Sequence, residues 1–358
     1  MKRQPIMILR APVALRRSTQ TGMTLVELLV AMAVGLVVVL AAVAALLASR
    51  GGSVAVDASS QLRDNARFAT DLVQRLADQA GFEDFAYARK PYAPSVATYM
   101  ASNGTSINSL RPSVYGFNNG RPSTSDPLNS TTAWPSTSDS KGSDILILQY
   151  QPVQNSLDAV SGTASDGSMI LCDGTAPTSS AIDRADRLVS ILYVSQGSDG
   201  EPSLSCMTRN ESTGNFYSTP LVRGVEQFQV LYGVDNVSPG AAPTGNSDSV
   251  PDRFLRADQL TVSGNEVATY ANWRRVRSIR IGMVLRGPVG SALSSTTQSI
   301  HSFGNAAFDS SADVGSAYTA SDSRLRQTVT YTIQLRNCQN QGYQPASSTT
   351  PCDVTMPS

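Results

Sequence analysis

The feature that most constrains this chain is an uncharged apolar segment near its amino terminus. Between Leu28 and Ala48 there is no charged residue and no proline. A helix needs about 20 apolar residues to cross a bilayer, so the segment from Met23 predicts one membrane-spanning helix. Gly22 stands before this helix, whereas the small-residue cleavage site of an ordinary secretory signal follows its apolar stretch. Cleavage after Gly22 would therefore leave the helix on the mature chain.

One acidic residue, Glu27, lies at the start of the apolar segment. A carboxylate in hydrocarbon costs roughly 2.5 to 3.5 kcal/mol on insertion scales, so this group needs a partner or an interfacial position. The residues before the helix are basic, which holds them on the cytoplasmic side and predicts that the chain beyond the helix is periplasmic. The basic residues are Lys2, Arg3, Arg10, Arg16 and Arg17.

The order of Gly22, Met23 and Glu27, within the run GMTLVELLVAMAVGL, resembles the class III signal of type IV pilins and type II secretion pseudopilins. This resemblance implies that a prepilin peptidase cuts after Gly22 and N-methylates Met23. It also implies that Glu27 acts in assembly, by meeting the terminal amine of a neighbouring subunit. Opposite charges about 4 Å apart attract by several kcal/mol at an effective dielectric near 20, which would offset much of the burial cost. The first mature residue is Met where the family more often has Phe.

A second helical pattern follows the membrane segment. Residues 49–53, Ser-Arg-Gly-Gly-Ser, predict a flexible or kinked passage. An amphipathic continuation of the helix is then predicted to residue 81, with its apolar face docked on a sheet. Gly81 marks its predicted end, and Phe82 is the hydrophobic contact beyond it. The apolar positions are Leu62, Ala66, Ala69, Val73, Leu76 and Ala80.

Several longer strings resemble PilW-type minor pilins. They are LRDNARFATDLVQRLADQAGF (62–82), GVEQFQVLYGVDN (224–236), YANWRRVRSIRIGMVLRG (270–287) and TVTYTIQLRN (328–337). The resemblance implies an α+β, pilin-like fold, in which a long N-terminal α-helix packs on a C-terminal antiparallel β-sheet domain with long loops. J-type pseudopilins of type II secretion share a comparable plan, so they stay an alternative.

The remaining chain shows one long polar stretch and several strand patterns. Residues 93–142 are dominated by Ser, Thr, Asn and Pro, which predicts a long surface loop. Short apolar runs at 145–148 and 188–194 predict two central strands. Alternation predicts a half-buried strand at 225–234 and a last strand at 325–335.

Residues 273–286 predict a strand with an apolar face and an arginine face. We interpret the arginines as a solvated face with local ion pairs rather than as a contact for an acidic partner. Trp273, before this strand, favours a buried or edge-packed indole over an interface anchor. The apolar face holds Ile279, Ile281, Met283 and Leu285, and the arginine face holds Arg274, Arg280 and Arg286.

Four cysteines lie beyond the membrane segment, on the predicted oxidising side, which favours disulfides. Three pairings are open from sequence. Shorter loops close more readily, so we predict Cys172 with Cys206 and Cys338 with Cys352. Zinc is disfavoured, because there is no CxxC spacing and His301 is the only histidine.

The sequence lacks the motifs that would indicate a catalytic site. There is no GxSxG elbow and no phosphate-binding loop, and His301 lies in a polar stretch that predicts a surface position. The loop after Asp235 lacks calcium ligands at alternate positions. Formal net charge is zero, which argues against general nucleic-acid binding. We predict no catalytic residues, no cofactor, no metal and no enzyme activity.

The resemblance divides the chain into a leader (1–22), a transmembrane and filament-core helix (23–48), its amphipathic continuation (49–81) and a periplasmic β-rich domain (82–358). It implies a minor pilin of a priming or tip complex, which supports pilus biogenesis, twitching motility and adhesion. Such a protein resides in the bacterial inner membrane and, after assembly, on the pilus or cell surface. The implied partners are other minor pilins and the major pilin, the prepilin peptidase, the inner-membrane assembly platform, a tip adhesin and membrane lipid, and no nucleic acid. The other alternative is a pilus-tip adhesive module that binds through loops 93–142 and 237–250.

Overall fold

The computed structural model describes residues 22–84, 112–133, 142–155, 164–181, 187–245, 247–292, 295 and 297–337. The chain forms two compact units, Met1–Ser53 and Val54–Ser358. The basic leader residues, the cysteines at 338 and 352, and parts of the predicted 93–142 loop lie outside the described residues.

The described part of the first unit is the beginning of helix α1, which extends over Leu25–Gln79. Its most apolar 18-residue stretch has a mean hydropathy of 2.9 and buries no residue, so by length and composition this helix can cross a membrane. The passage predicted at 49–53 does not interrupt the helix, because these residues are helical. Each glycine there costs about 1 kcal/mol relative to alanine, but the alanine- and leucine-rich turns before it favour helix strongly enough to continue.

In the second unit the remaining turns of α1 bury the predicted face. All six apolar positions are buried, from Leu62 to Ala80. The helix ends at Gln79, and Gly81 adopts a φ of 80°, the left-handed conformation that glycine supplies at a helix end. The predicted face and the predicted end of this helix are confirmed.

Within the described residues, the rest of the second unit consists of antiparallel strands with two further helices, α2 (Ala257–Leu260) and α3 (Glu266–Arg274), and a 3₁₀ turn at Ala306–Phe308. In chain order the strands are β1 (Val114–Phe117), β2 (Arg121–Pro122), β3 (Thr131–Thr132), β4 (Ile145–Tyr150), β5 (Leu188–Gln196), β6 (Pro202–Arg209), β7 (Phe216–Arg223), β8 (Val225–Val234), β9 (Arg253–Leu255), β10 (Val276–Arg286), β11 (Gln298–His301), β12 (Ala317–Ala320) and β13 (Arg326–Gln334).

Two sheets carry the core. One has five strands in the order β1-β4-β5-β6-β7, and the other has four in the order β13-β10-β8-β9. β4 and β5 are interior strands, as predicted, because their apolar runs are buried on both faces. The buried apolar residues of α1, from Leu62 to Ala77, and those of both sheets belong to one hydrophobic cluster. This arrangement confirms the predicted α+β class.

The prediction of one surface loop over 93–142 is wrong where the structure describes it. β1 lies in this stretch, pairs with β4, and buries Val114 and Tyr115. The polar composition around β1 hid a four-residue strand whose burial comes from its neighbours in space.

β8 is buried at every position, so the prediction of a half-buried strand is also wrong. Its polar face is covered by the segment before β4. Gln229 donates through Nε2 to the carbonyl of Gly142 at 2.6 Å, and Ser143 donates through Oγ to Gln227 Oε1 at 2.9 Å. Hydrogen bonds of this kind allow polar side chains to be buried.

The predicted strand at 273–286 begins later than expected. Trp273 and Arg274 belong to α3, where Asn265 caps the first turn by accepting from the backbone N–H of Ala268. Arg274 and Arg286 are buried, so the interpretation of a solvated arginine face is wrong for both. Arg274 belongs to α3, and Arg286 is buried in ion pairs with Glu201 and Glu226. Arg280, the third residue of the predicted arginine face, is half-buried.

Trp273 is buried, as predicted, and packs edge-on against Tyr232 at 4.6 Å between ring centroids. The predicted pair Cys172–Cys206 forms a disulfide, with 5.6 Å between the Cα atoms.

Candidate functional site

The candidate site is the start of α1, where Thr24 and Glu27 form a reciprocal capping box. Thr24 Oγ1 accepts from the backbone N–H of Glu27 at 3.2 Å. In return Glu27 Oε2 accepts from the backbone N–H of Thr24 at 3.0 Å and from its hydroxyl at 3.1 Å. The sequence Thr-x-x-Glu before an apolar helix is the signature of this motif. It closes the first helical turn, and a carboxylate there is favoured by the helix dipole.

The side chains around this box are apolar and exposed. Met23 is 65% exposed and Leu25 is 74% exposed, and the same holds for the apolar residues that follow. A helix that is apolar all round is stable only under cover, either lipid or other helices. The site therefore combines one fixed carboxylate with a surface that must be covered.

The predicted site residues Gly22, Met23 and Glu27 thus lie together at one helix end. Thr24 was not among the predicted site residues, although the Thr-x-x-Glu spacing was present in the sequence as a signal.

The residues considered for chemistry or metal binding are satisfied by protein groups. His301 Nδ1 lies 2.8 Å from Asp309 Oδ2, with the histidine side chain 33% exposed. The buried carboxylate of Asp235 accepts from Ser247 Oγ at 2.5 Å and from the backbone N–H of Ser249 at 2.7 Å. Within the described ranges, no three His, Cys, Asp or Glu side chains form a group that could hold a metal ion.

Two buried carboxyl groups in the second unit had no signal in the sequence. Burial raises the pKa of Asp144 well above its usual value, and the nearby charge of Asp313 adds to the effect. Asp144 accepts backbone bonds from Asn119 at 3.1 Å and Val230 at 2.9 Å. Burial likewise raises the pKa of Asp313 to about 6.

A network of buried ion pairs in the second unit also had no signal in the sequence. Glu226, at the start of β8, pairs with Arg286 at 3.4 Å and with Arg326 at 2.7 Å, and all three side chains are at most 5% exposed. Arg286 also meets Glu201 at 3.3 Å. Burial alone would raise the pKa of Glu201, but its bonds to Arg324 and Arg286 hold the pKa below its usual value. The pairing residues are far apart in the chain, so sequence pattern could not find them.

A groove of about 650 Å³ lies between β1 and the α2–α3 segment, and Phe117, Asn118, Glu266 and Tyr270 are among its lining residues. None of the predicted site residues lies in it.

The profile of the family described as type IV pilus-assembly protein W matches residues 191–337, which cover most of β5 and all strands through β13. The prokaryotic N-terminal methylation motif matches residues 17–43, which include the capping box. These two matches support a minor pilin of the PilW family that takes part in type IV pilus assembly.

Other comparisons add little to this PilW assignment. A type IV-like pilin from Thermus thermophilus is 10% identical over 78% of this chain and 98% of that chain, with a TM-score of 0.34. This similarity is too remote to inform the fold or the function. No curated protein matches the sequence significantly.

Proposed function

We propose that this minor pilin is cut after Gly22 by prepilin peptidase, N-methylated at Met23, and built through its apolar helix into the priming or tip complex of a type IV pilus. The observation that carries this proposal is the capped carboxylate of Glu27 at the exposed end of that helix, inside the N-terminal methylation motif.

The capping box is compatible with a second partner for Glu27. An ionised carboxylate offers about four lone-pair positions, and Thr24 uses two bonds to Oε2. Acceptor capacity is left for the methylated amine of a neighbouring subunit's first residue. Thr24 would then hold the carboxylate in place while the amine of the next subunit approaches.

The helix would change its cover during assembly. Before assembly, residues 23–48 lie in the inner membrane with the β-rich part in the periplasm. On extraction the lipid contacts are exchanged for the helices of other minor pilins and the major pilin, with the assembly platform as the site of exchange. A tip adhesin would join the same complex, which supports twitching motility and adhesion.

The test is the mature amino terminus, measured by mass spectrometry on the membrane and sheared-fibre fractions of cells that make this protein. We expect N-methylated Met23 in both fractions. Gly22→Phe should block cleavage. Gly35→Phe should be cleaved normally, because it lies away from the cleavage site, and an added Cβ at either glycine meets no atom within 4 Å. An intact Met1, or cleavage near Ala48, would contradict the proposal, and absence from sheared fibres would favour a secretion pseudopilus.

A further inference from the structure

The outer edge of β13 differs from the other edges of the two main sheets. β1 has four residues and β9 has three. β7 contains Pro220, and its pairing with β6 has a register shift between Leu204 and Ser205. β13 has nine residues, no proline, and an unbroken register with β10. Short strands, proline and bulges are the devices that keep an edge from pairing with another chain, and β13 has none of them.

The hydrogen bonds at the ends of β13 show which backbone groups face outward. The carbonyl of Leu325 accepts from Gly287 at 2.8 Å, and the N–H of Leu335 donates to Arg277 at 2.9 Å. Bonded and unbonded residues alternate in an antiparallel ladder. The odd-numbered residues are therefore bonded to β10, and the N–H and C=O groups of residues 326, 328, 330, 332 and 334 point to the open edge. Among the described residues, no strand pairs with this edge.

Most side chains along this edge are uncharged. The nearest cation on the adjacent strand is Arg280, which donates to Thr332 Oγ1 at 3.3 Å and is held over the rings of Phe254 and Phe308. Thr330, Thr332 and Gln334 are exposed and uncharged. The one charged residue of the strand, Arg326, is bound to Glu226 and Asp322. Five outward positions over about 27 Å, at roughly 3.4 Å per residue, form a template for one more strand.

Resting on the proposed function, we propose that an extended, uncharged strand of another pilus subunit pairs with the outer edge of β13. An exposed strand edge binds an extended peptide through main-chain hydrogen bonds, and the side chains along that edge determine which peptide sequences bind. The uncharged threonine row suits uncharged β-branched or hydroxyl residues opposite it.

The position of β13 argues for a pilus subunit as the partner. After its last residue, Asn337 Nδ2 donates to the carbonyls of Asp78 at 3.3 Å and Ala80 at 3.1 Å. Arg336 pairs with Asp78 at 3.3 Å. β13 is thus tied to the end of α1, the helix whose first turns carry the proposed assembly signal.

Two variants of the full chain test the edge in cells. Thr330→Pro removes an outward N–H without touching the ladder to β10, and proline is tolerated at such edge positions. Thr330→Lys adds a guarding charge, and Thr330→Val is the matched control that keeps both the N–H and the β-branched shape. We expect at least a tenfold loss of the protein from sheared fibres for the proline and lysine variants, with wild-type membrane levels and Met23 methylation, and no loss for valine. Wild-type incorporation of the proline and lysine variants would overturn the proposal.

A photo-crosslinking residue at position 332 identifies the partner even if those variants fold poorly. We expect adducts with the major pilin or with a different minor pilin in sheared fibres, and none from the same probe at the exposed Val314. Adducts with a second copy, with residues 338–358 of the same chain, or with no protein would overturn the assignment. Absence of Met23 methylation in the wild type would instead contradict the proposed function and leave the adducts as a separate result.

Discussion

At the residue scale, Glu27 serves two roles that different substitutions can separate. Its carboxylate caps the first turn of α1 through Thr24, and its charge is proposed to meet a neighbouring amine. Glutamine keeps an acceptor for the cap, as in capping boxes with Glu or Gln, but loses the charge. Alanine loses both.

We expect Glu27→Gln and Glu27→Ala to be processed after Gly22 but to fall to similarly low levels in sheared fibres, because both lack the charge. Thr24→Ala, which removes the cap at a typical cost of about 1 kcal/mol, should incorporate better than either. Quantitative immunoblots of membrane and sheared fractions measure this. Near-normal incorporation of the glutamine variant would mean that the cap, and not the ion pair, is what assembly requires.

Gly116 in β1 is a second residue whose identity is fixed by its contacts. A Cβ there would lie 2.1 Å from the carbonyl oxygen of Ile145 and 2.3 Å from the hydroxyl of the buried Tyr232. We expect Gly116→Ala to lower the free energy of unfolding by about 1 to 3 kcal/mol, the usual cost of overpacking. Gly197→Ala is the control, because its nearest contact is the flexible carboxylate of Asp199, and it should be close to neutral. Urea denaturation of the full chain in detergent measures both.

At the scale of elements, the ion network around Glu226 joins β8, β10 and β13. Glu226 accepts from Arg326 at 2.7 Å, from Tyr318 at 2.8 Å and from Arg286 at 3.4 Å. Removing Glu226 takes the most buried counter-charge from Arg286 and Arg326 and leaves each with one more exposed carboxylate, Glu201 or Asp322. Breaking a buried ion pair typically costs 3 to 5 kcal/mol.

We therefore expect Glu226→Gln to lower the free energy of unfolding by about 3 kcal/mol. Arg336→Gln breaks a pair whose arginine side chain is 73% exposed, so it should change stability by less than about 1 kcal/mol. Denaturant midpoints of the two variants are compared under one condition. Equal effects would show that the buried network does not stabilise the second unit.

The sequence predicts the burial of an element when the residues of that element alone show its apolar pattern. The docked face of α1 and the strands β4, β5 and β13 follow from periodicity, because each shows its own apolar pattern. β1 and the full burial of β8 do not, because both depend on neighbours in space: β1 pairs with β4, and Gly142 and Ser143 cover the polar face of β8. Gly22 and Glu27 are found by their order along the chain, whereas Asp144 and Asp313 meet only in the fold.

At the scale of the whole molecule, the two units bury apolar surface in different ways. The helix of the first unit exposes its apolar side chains and needs lipid or other helices around it. The second unit has its own hydrophobic core, with α1 packed on both sheets. The free energy of unfolding of the second unit can therefore be measured by denaturant titration while the apolar helix stays in detergent.

The free energy of unfolding of the second unit depends on pH through carboxyl groups whose pKa is lowered in the fold and through others whose pKa is raised. Bonds to Arg326 lower the pKa of Asp322, and the pKa of Glu201 is lowered as well. A lowered folded pKa stabilises above the unfolded value, and this contribution is lost as pH falls through the folded pKa. Burial raises the pKa of Asp313 to about 6, against about 3.9 in unfolded chains. In the window between these values the folded state binds a proton that the unfolded state has released, so this contribution is lost as pH rises.

We expect the variant Asp313→Asn to remove the contribution of the raised pKa and to leave that of the lowered pKa values. Because asparagine does not titrate, the unfolding free energy of the variant relative to wild type should increase from pH 4 to pH 6 and be level above about pH 7. Glu201→Gln should show the opposite trend, with its deficit relative to wild type shrinking as pH falls below about 4. Urea denaturation followed by tryptophan fluorescence between pH 3 and pH 8 gives both curves. A pH-independent difference for Asp313→Asn would mean that the pKa of Asp313 is the same in the folded and unfolded states, and that the fold offsets the effect of burial on this carboxyl.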